Sequence, residues 1–333
     1  MKKKVLYVLL GLVVAAGLSV AITCFVFRGA AYNGAEPVTL YLRPGDSVTD
    51  KLREAGVRTT GFRALSRFFH FQQKSGKYVI NPGEDIITIF RRLRNGHQEP
   101  VRLVLPGVRT MPDMARFLAR NLMMDSTEVA QAFADTSFLE PYGYTPETLP
   151  ALFVPNTYEV YWDVTLPDFM QRMQREHDAF WNTERLGLCG AVGLTPVEVA
   201  TLAAIVDEET AANAEKPAVA GMYLNRLRIG MPLQADPTVK FAVGDFTLRR
   251  ILKGHTEVDS PYNTYKYKGL PPGPIRVASI AGIDAVLHHD KHNYLYMCAK
   301  EDFSGTHNFA STFAEHLQNA RKYQRALNEL NIR

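Results

Sequence analysis

The stretch Thr195-Pro196-Val197-Glu198-Val199-Ala200-Thr201-Leu202-Ala203-Ala204-Ile205-Val206-Asp207-Glu208-Glu209-Thr210 decides how the chain is read. It opens as a helix does. Thr195 supplies an N-cap hydroxyl, Pro196 takes the first helical position where its missing N–H costs nothing, and Glu198 closes a capping box. The spacing predicts a helix running to about Thr210. Leu202, Ile205 and Val206 form its apolar stripe, Glu209 falls one turn further along that stripe, and Asp207 and Glu208 project to other faces. A carboxyl at the end of an apolar stripe is partly desolvated, which favours its protonated form and raises its pKa toward the range a general acid needs. Acids at a helix C-terminus are mildly unfavourable against the helix dipole. Three in succession need a reason, and periodicity alone leaves open whether that reason is solvation of an ordinary helix end or function.

Working outward toward the C-terminus, the next helix is expected over about Glu215 to Ile229. Ala220, Leu224 and Leu227 lie on one side, and Met222, Asn225, Arg226 and Ile229 on another. A polar pair such as Asn225 and Arg226 among apolar residues serves either a structural hydrogen-bond network or a substrate. Three loop segments follow: Gln234-Ala235-Asp236-Pro237-Thr238-Val239, Ser260-Pro261-Tyr262-Asn263-Thr264-Tyr265, and Gly269-Leu270-Pro271-Pro272-Gly273-Pro274. Their carboxamide, hydroxyl and tyrosine groups suit sugar hydroxyls, and the proline-glycine run makes a rigid wall, so a carbohydrate groove is expected. A long, well-ordered loop is the plain alternative. No phosphate-cradling glycine loop, serine elbow or zincin helix is present. His288-His289-Asp290-Lys291-His292 holds two histidines at metal-compatible spacing without convincing further ligands nearby, and reads as a helix end; neither metal nor cofactor is expected. A terminal helix is expected from Ser311 to Leu330.

Toward the N-terminus, Met1-Lys2-Lys3-Lys4 precedes an uncharged run from Val5 to Phe27 closed by Arg28. The run is long enough for a bilayer core, exceeds the apolar part of a secretory signal and lacks a small-x-small cleavage site, so it reads as an uncleaved anchor. The lysines should remain cytoplasmic, which puts everything after Arg28 outside the cytoplasm. Cys24 follows Ile22-Thr23 and not the small residue of a lipobox, and Cys189 and Cys298 read as separate buried thiols.

The 333 residues are 46% hydrophobic with a net charge of +4, enough for a real core of two domains and too weakly basic to argue for nucleic acid. The fold class is α+β. Expected boundaries are a cytoplasmic tail (1–4), an anchor (5–27), a linker (28–37), a small strand–helix–helix–strand unit with a following strand (38–105), linking helices (106–150) and a larger mixed domain (151–333).

The runs Ala204–Thr210 and Val219–Val239, with Tyr262-Asn263-Thr264-Tyr265 and Gly269–Pro274, resemble in order and spacing the YceG-like family of endolytic murein transglycosylases. The resemblance covers nearly the whole chain. It implies that the unit after the anchor is LysM-like and that the substrate is the peptidoglycan glycan strand. It puts the catalytic glutamate on Glu209, the second acid of a Glu-x-Glu-Thr motif, with Asp207 where the family usually has Glu. Phe153-Val154-Pro155-Asn156-Thr157-Tyr158 resembles a motif that normally carries Asp after the proline, and Asn156 cannot serve as a second acid.

A hydrolase needs two carboxyls, and no second one in the required pairing is apparent. The family's reaction needs one: the C6 hydroxyl of N-acetylmuramic acid attacks and leaves a 1,6-anhydro end. Glu209 would protonate the glycosidic oxygen and then accept the C6 hydroxyl proton. Asn225, Arg226, Gln234, Asp236, Thr238, Tyr262, Asn263, Thr264 and Tyr265 are the candidate substrate-binding residues. The resemblance further implies a single-pass inner-membrane protein with a periplasmic catalytic domain, cleaving MurNAc–GlcNAc linkages in nascent strands, ending their elongation and partnering cell-wall synthases. A non-catalytic peptidoglycan-binding scaffold and a conventional hydrolase are the competing readings.

Overall fold

The computed structural model describes residues 2–248 and 250–329, with side chains from residue 7 onward. The expected cytoplasmic tail and the last residue of the expected terminal helix therefore fall wholly or partly outside the described residues. The chain forms two compact units, each assembled from separate stretches.

The first unit comprises the chain up to Leu103 together with Asn121–Met124 and Tyr158–Thr165. It opens with α1 (Lys2–Arg28), whose 22-residue stretch Tyr7–Arg28 is long and apolar enough to cross a membrane, about 33 Å at 1.5 Å per residue. Strand β1 (Val38–Leu42), helices α2 (Val48–Glu54) and α3 (Thr60–Phe68), strand β2 (Gly76–Ile80), helix α4 (Ile86–Asn95) and strand β3 (Val101–Val104) follow. β1 and β2 pair antiparallel from Val38↔Ile80 to Leu42↔Gly76. Period-two alternation turns Leu40, Leu42, Tyr78 and Ile80 to one face, where Leu52, Phe62, Ile86, Ile89 and Leu93 bury against them. Helix α4 starts at Asp85, whose carboxylate accepts from Thr88 N, and stops at Gly96, which takes the left-handed conformation. Of the aromatics along α3, Phe62 is buried while Phe68 and Phe69 are exposed. Strand β4 (Thr157–Val160) pairs with β3, and the residues after it close the unit: Trp162 packs on Tyr41, and Asp163 accepts from Ser75 Oγ and Gln98 Nε2.

The second unit comprises Val104–Arg120, Asp125–Thr157 and the chain from Leu166 onward. Its helices are α5 (Met111–Asn121), α6 (Ser126–Ala134), α7 (Thr136–Leu139), α8 (Leu166–Phe180), α9 (Thr183–Val192), α10 (Pro196–Glu209), α11 (Lys216–Arg228), α12 (Asp236–Val243), α13 (Lys253–Thr256), α14 (Ile280–Leu287) and α15 (Phe313–Glu329). An antiparallel hairpin, β5 (Tyr296–Ala299) with β6 (His307–Ala310), precedes α15.

Helix α10 is the axis of this unit, packed by α9, α11, α12 and α14. Its capping box is formed as the sequence predicts: Thr195 Oγ accepts from Glu198 N, and Glu198 Oε2 accepts from Thr195 N. The single apolar stripe is corrected. Every residue from Val199 to Val206 is buried, because the helix has neighbours on all sides; the one polar side chain, Thr201, donates to Val197 O. Each fully buried Leu, Ile or Val there contributes about 1.5–3 kcal/mol relative to exposure. The chain then emerges from the core at the three acids. Of the cysteines, Cys189 is buried and Cys298 only half-buried; both are free thiols, and Cys24 lies exposed on α1.

Candidate active site at the end of the central helix

Asp207, Glu208 and Glu209 end α10, and the fold answers their charges differently. Asp207 is almost wholly enclosed. Its Oδ1 takes Lys216 Nζ at 2.7 Å and Ser279 Oγ at 2.8 Å, while Oδ2 takes Ser279 N at 2.7 Å. Gly282 is required beside it, since a Cβ there would stand 2.6 Å from Asp207 Oδ1. Glu208 accepts from Arg109 Nη2 at 2.8 Å and Arg276 Nη1 at 2.7 Å. Both of these acids, expected to project to other faces of the helix, are anchored to cations.

Glu209 forms no ion pair among the described residues. It is half-buried, and its Oε1 accepts from the Tyr223 hydroxyl at 2.7 Å. Desolvation raises its pKa above the ordinary carboxyl value. The Tyr223 hydrogen bond works against that rise, the Asp236 charge adds to it, and His307 and Arg226 oppose it. Two of the three acids are neutralised by design of the fold and the third retains its proton more strongly than a free carboxyl. That is the electrostatic profile of a general acid.

The side chains around Glu209 come from α11, α12, the 262–265 loop and β6. Tyr223 is fully buried on α11, and burial pushes its hydroxyl far up, so it stays a donor. Asp236 opens α12 and is exposed, with Oδ1 accepting from the Tyr265 hydroxyl at 2.6 Å. Burial also raises the Tyr265 hydroxyl, and the Asp236 hydrogen bond adds to this. The sequence offers no apparent second carboxylate near Glu209; the fold brings Asp236 close enough for its charge to be felt.

The turn before α12 is fixed by hydroxyls. Thr264 Oγ1 accepts from Ala235 N at 3.0 Å and lies 2.8 Å from Thr238 Oγ1, which donates to Ala235 O. Gln234 N donates to Thr264 O, and Gln234 holds φ +50°, a left-handed conformation uncommon for a residue with a Cβ. The strained turn sets Gln234 and Asp236 exposed on either side of buried Ala235.

The other candidate residues divide by what their polar atoms touch. Arg226 is buried, with Nε on Leu295 O and Nη1 on Leu233 O, both at 2.6 Å. Asn263 is fully buried and donates to Thr256 O and Val258 O. Asn225 donates to His292 O and Tyr294 O. Thr238 and Thr264 are buried in the hydroxyl pair described above. For Asn225 and Arg226, these contacts are the structural network that the sequence leaves as one of two options. Tyr262 is half-buried against Phe241, and burial pushes its hydroxyl up to about 12. Gly273 sits against the main chain of Glu147 with no room for a Cβ, as a rigid wall requires. Asn156 is exposed and its side chain caps Thr157 N.

Three contributors carry no signal in local sequence. Tyr223 reaches Glu209 from 14 residues away. Glu215 accepts from His307 N at 2.6 Å and lies 3.0 Å from His307 Nδ1, so the imidazole whose charge reaches Glu209 is itself held by a carboxylate. A cavity of about 740 Å³ lies between the α9–α10 turn, Arg228 and residues 289–293. It includes Asn225 but not Glu209.

With this geometry in view, residues 42–322 match the model of the YceG-like family. The chain belongs to the YceG-like family. Relatives that carry the same kind of sequence are named: an endolytic murein transglycosylase of Bacillus subtilis is 29% identical over 272 residues, covering 77% of this chain and 74% of that protein. An endolytic murein transglycosylase of Streptococcus pneumoniae is 26% identical over 315 residues, covering 80% of this chain but only 55% of the pneumococcal protein. The crystal structure of a YceG-like protein from Listeria monocytogenes aligns with a TM-score of 0.59 at 24% identity, over 86% of this chain and 99% of that one, which shows a shared fold. Within this YceG-like member, the matched region contains α10, α11, α12, the Tyr262–Tyr265 loop and His307.

Proposed function

We propose that this protein is an endolytic lytic transglycosylase of peptidoglycan, with Glu209 as its acid/base residue. The observation that carries the reading is the state of Glu209: a half-buried carboxyl with a raised pKa, held by a tyrosine and paired with no cation among the described residues, at the end of a helix whose other two acids are ion-paired. The names of the relatives support the substrate class.

In this reading Glu209 protonates the oxygen of a MurNAc–GlcNAc linkage as the bond to C1 breaks. The C6 hydroxyl of the same MurNAc closes on C1, and its proton passes to the Glu209 carboxylate, which restores the acid. No water enters, and a 1,6-anhydroMurNAc end remains. Positioned proton transfer of this kind contributes about 10²–10⁴-fold. Gln234, Asp236, Tyr262 and Tyr265, which keep accessible surface, are the residues we assign to the glycan, and the charges of Asp236 and Glu209 link Asp236 and Tyr265 to the acid. Helix α1 anchors the protein in the inner membrane with the lysines inside, the LysM-like first unit adds glycan affinity, and cleavage close to the membrane ends the elongation of strands made by cell-wall synthases.

The test is direct. Full-length protein in detergent and Glu209→Gln are given glycan strands in ¹⁸O water, and products are read by mass spectrometry. Anhydro ends from wild type alone support the reading. Equal anhydro product from both proteins ends the assignment of Glu209, and ¹⁸O-labelled reducing ends identify a hydrolase instead. Strands bound and left uncut by both identify a scaffold.

A further inference from the structure

We propose that Asp236 is a second catalytic carboxylate, which stabilises the positive charge developing on the sugar ring while forming no bond to it. This rests on the transglycosylase reading and extends it.

The placement of Asp236 is over-determined for an exposed side chain. It opens α12 directly after the turn that Gln234 holds at φ +50° and that the Thr238–Thr264 hydroxyl pair locks. One oxygen, Oδ1, is tied to the Tyr265 hydroxyl at 2.6 Å, and no described residue engages Oδ2. A surface aspartate that merely solubilises the chain needs none of this. Its charge reaches Glu209, whose proton it helps to retain, and no described cation pairs with it. Two carboxyls close enough for the charge of one to be felt at the other, with the second desolvated, can divide their roles.

The reaction has a place for it. As the proton of Glu209 moves to the glycosidic oxygen and the C1–O bond breaks, positive charge spreads over C1 and the ring oxygen. The Asp236 carboxylate is assigned to stabilise that charge without bonding to it. The C6 oxygen then bonds to C1 and releases its proton to Glu209, so protons and electrons balance without a co-reactant. Preorganised charge of this kind is worth more in a partly desolvated site than in water.

The groups that face Glu209 are Tyr223 and Arg226 from α11, Asp236 from α12 and His307 from β6, and Tyr265 holds Asp236 from the neighbouring loop. Asp236→Asn keeps an acceptor for Tyr265 and removes the charge. Removing it also lowers the pKa of Glu209, so the alkaline limb of kcat/KM moves to lower pH.

The experiment compares wild type, Asp236→Asn, Asp236→Ala and Asp236→Glu as full-length proteins, with thermal melting to confirm folding. Support is a fall in kcat of about 10²–10³-fold for the Asn and Ala variants, KM changed less than threefold, anhydro ends retained, the alkaline limb lowered and partial recovery in the Glu variant. A loss confined to KM overturns the proposal, as does full kcat in Asp236→Asn with anhydro ends still made. A glycosyl ester trapped on Asp236 also overturns it, because the side chain is then a nucleophile. Wild-type protein that yields only water-derived ends sinks the transglycosylase reading itself, a result separable from all of these.

Discussion

The Tyr223 hydroxyl on α11 donates to Oε1 of Glu209 at the end of α10 across 2.7 Å. The phenol is fully buried and cannot swing away, so it fixes the rotamer of the acid as well as bearing on its proton. Tyr223→Phe keeps the packing and removes the bond. Since that bond favours the charged form of Glu209, its loss raises the pKa of Glu209 further, and the alkaline limb of kcat/KM moves to higher pH. The freed carboxyl also loses alignment, and kcat falls by about tenfold or more. Rate–pH profiles of the two proteins check both effects.

Glu209 itself should weaken the fold. Its pKa is higher in the folded than in the unfolded chain, so between those two values the folded state binds more protons and stability falls as pH rises through that window. Glu209→Gln abolishes this contribution. The variant is expected to melt above wild type at neutral pH, with the difference shrinking as pH is lowered toward the ordinary carboxyl value. Paired melting curves across pH measure it, and an unchanged difference refutes the account.

The Asp207–Lys216 pair behaves in the opposite way. Both side chains are enclosed, at 3% and 8% exposure, so removing one partner leaves an uncompensated charge. Lys216→Ala should cost about 3–5 kcal/mol in urea unfolding. Gly282→Ala should destabilise through the same carboxylate, by forcing it off Ser279.

Arg226 distinguishes framework from substrate contact. Its guanidinium donates to the Leu295 and Leu233 carbonyls, which are deprived of a donor in Arg226→Lys. Stability should drop by about 1–3 kcal/mol, with KM for glycan strands unchanged in protein that remains folded. A raised KM at full stability would return Arg226 to the substrate.

The start of α10 was legible because a capping box is local: Thr195, Pro196 and Glu198 span four positions. Its environment was not. Lys216, Arg276 and Arg109 arrive from 9, 68 and 99 residues away, and nothing in Asp207-Glu208-Glu209 distinguishes the paired acids from the unpaired one. Periodicity puts Glu209 on a single apolar stripe, and burial of the helix on all sides erases that stripe. The β5–β6 hairpin went unseen because its residues are half-buried on both faces and show no alternation to read. Asn263 looked like a sugar ligand by residue type, yet an amide that bridges two carbonyls of its own loop is chosen by the turn.

The first unit takes its last residues from Tyr158–Thr165, well over fifty positions after Leu103. A ribosome or translocon delivering this chain must release part of the second unit before Trp162 can stack on Tyr41 or Asp163 can bind Ser75 and Gln98. Maturation of the two units is thereby interleaved in time. A genetic cut at residue 103 yields a fragment missing two of its own pieces, 121–124 and 158–165, and both must be supplied to restore it.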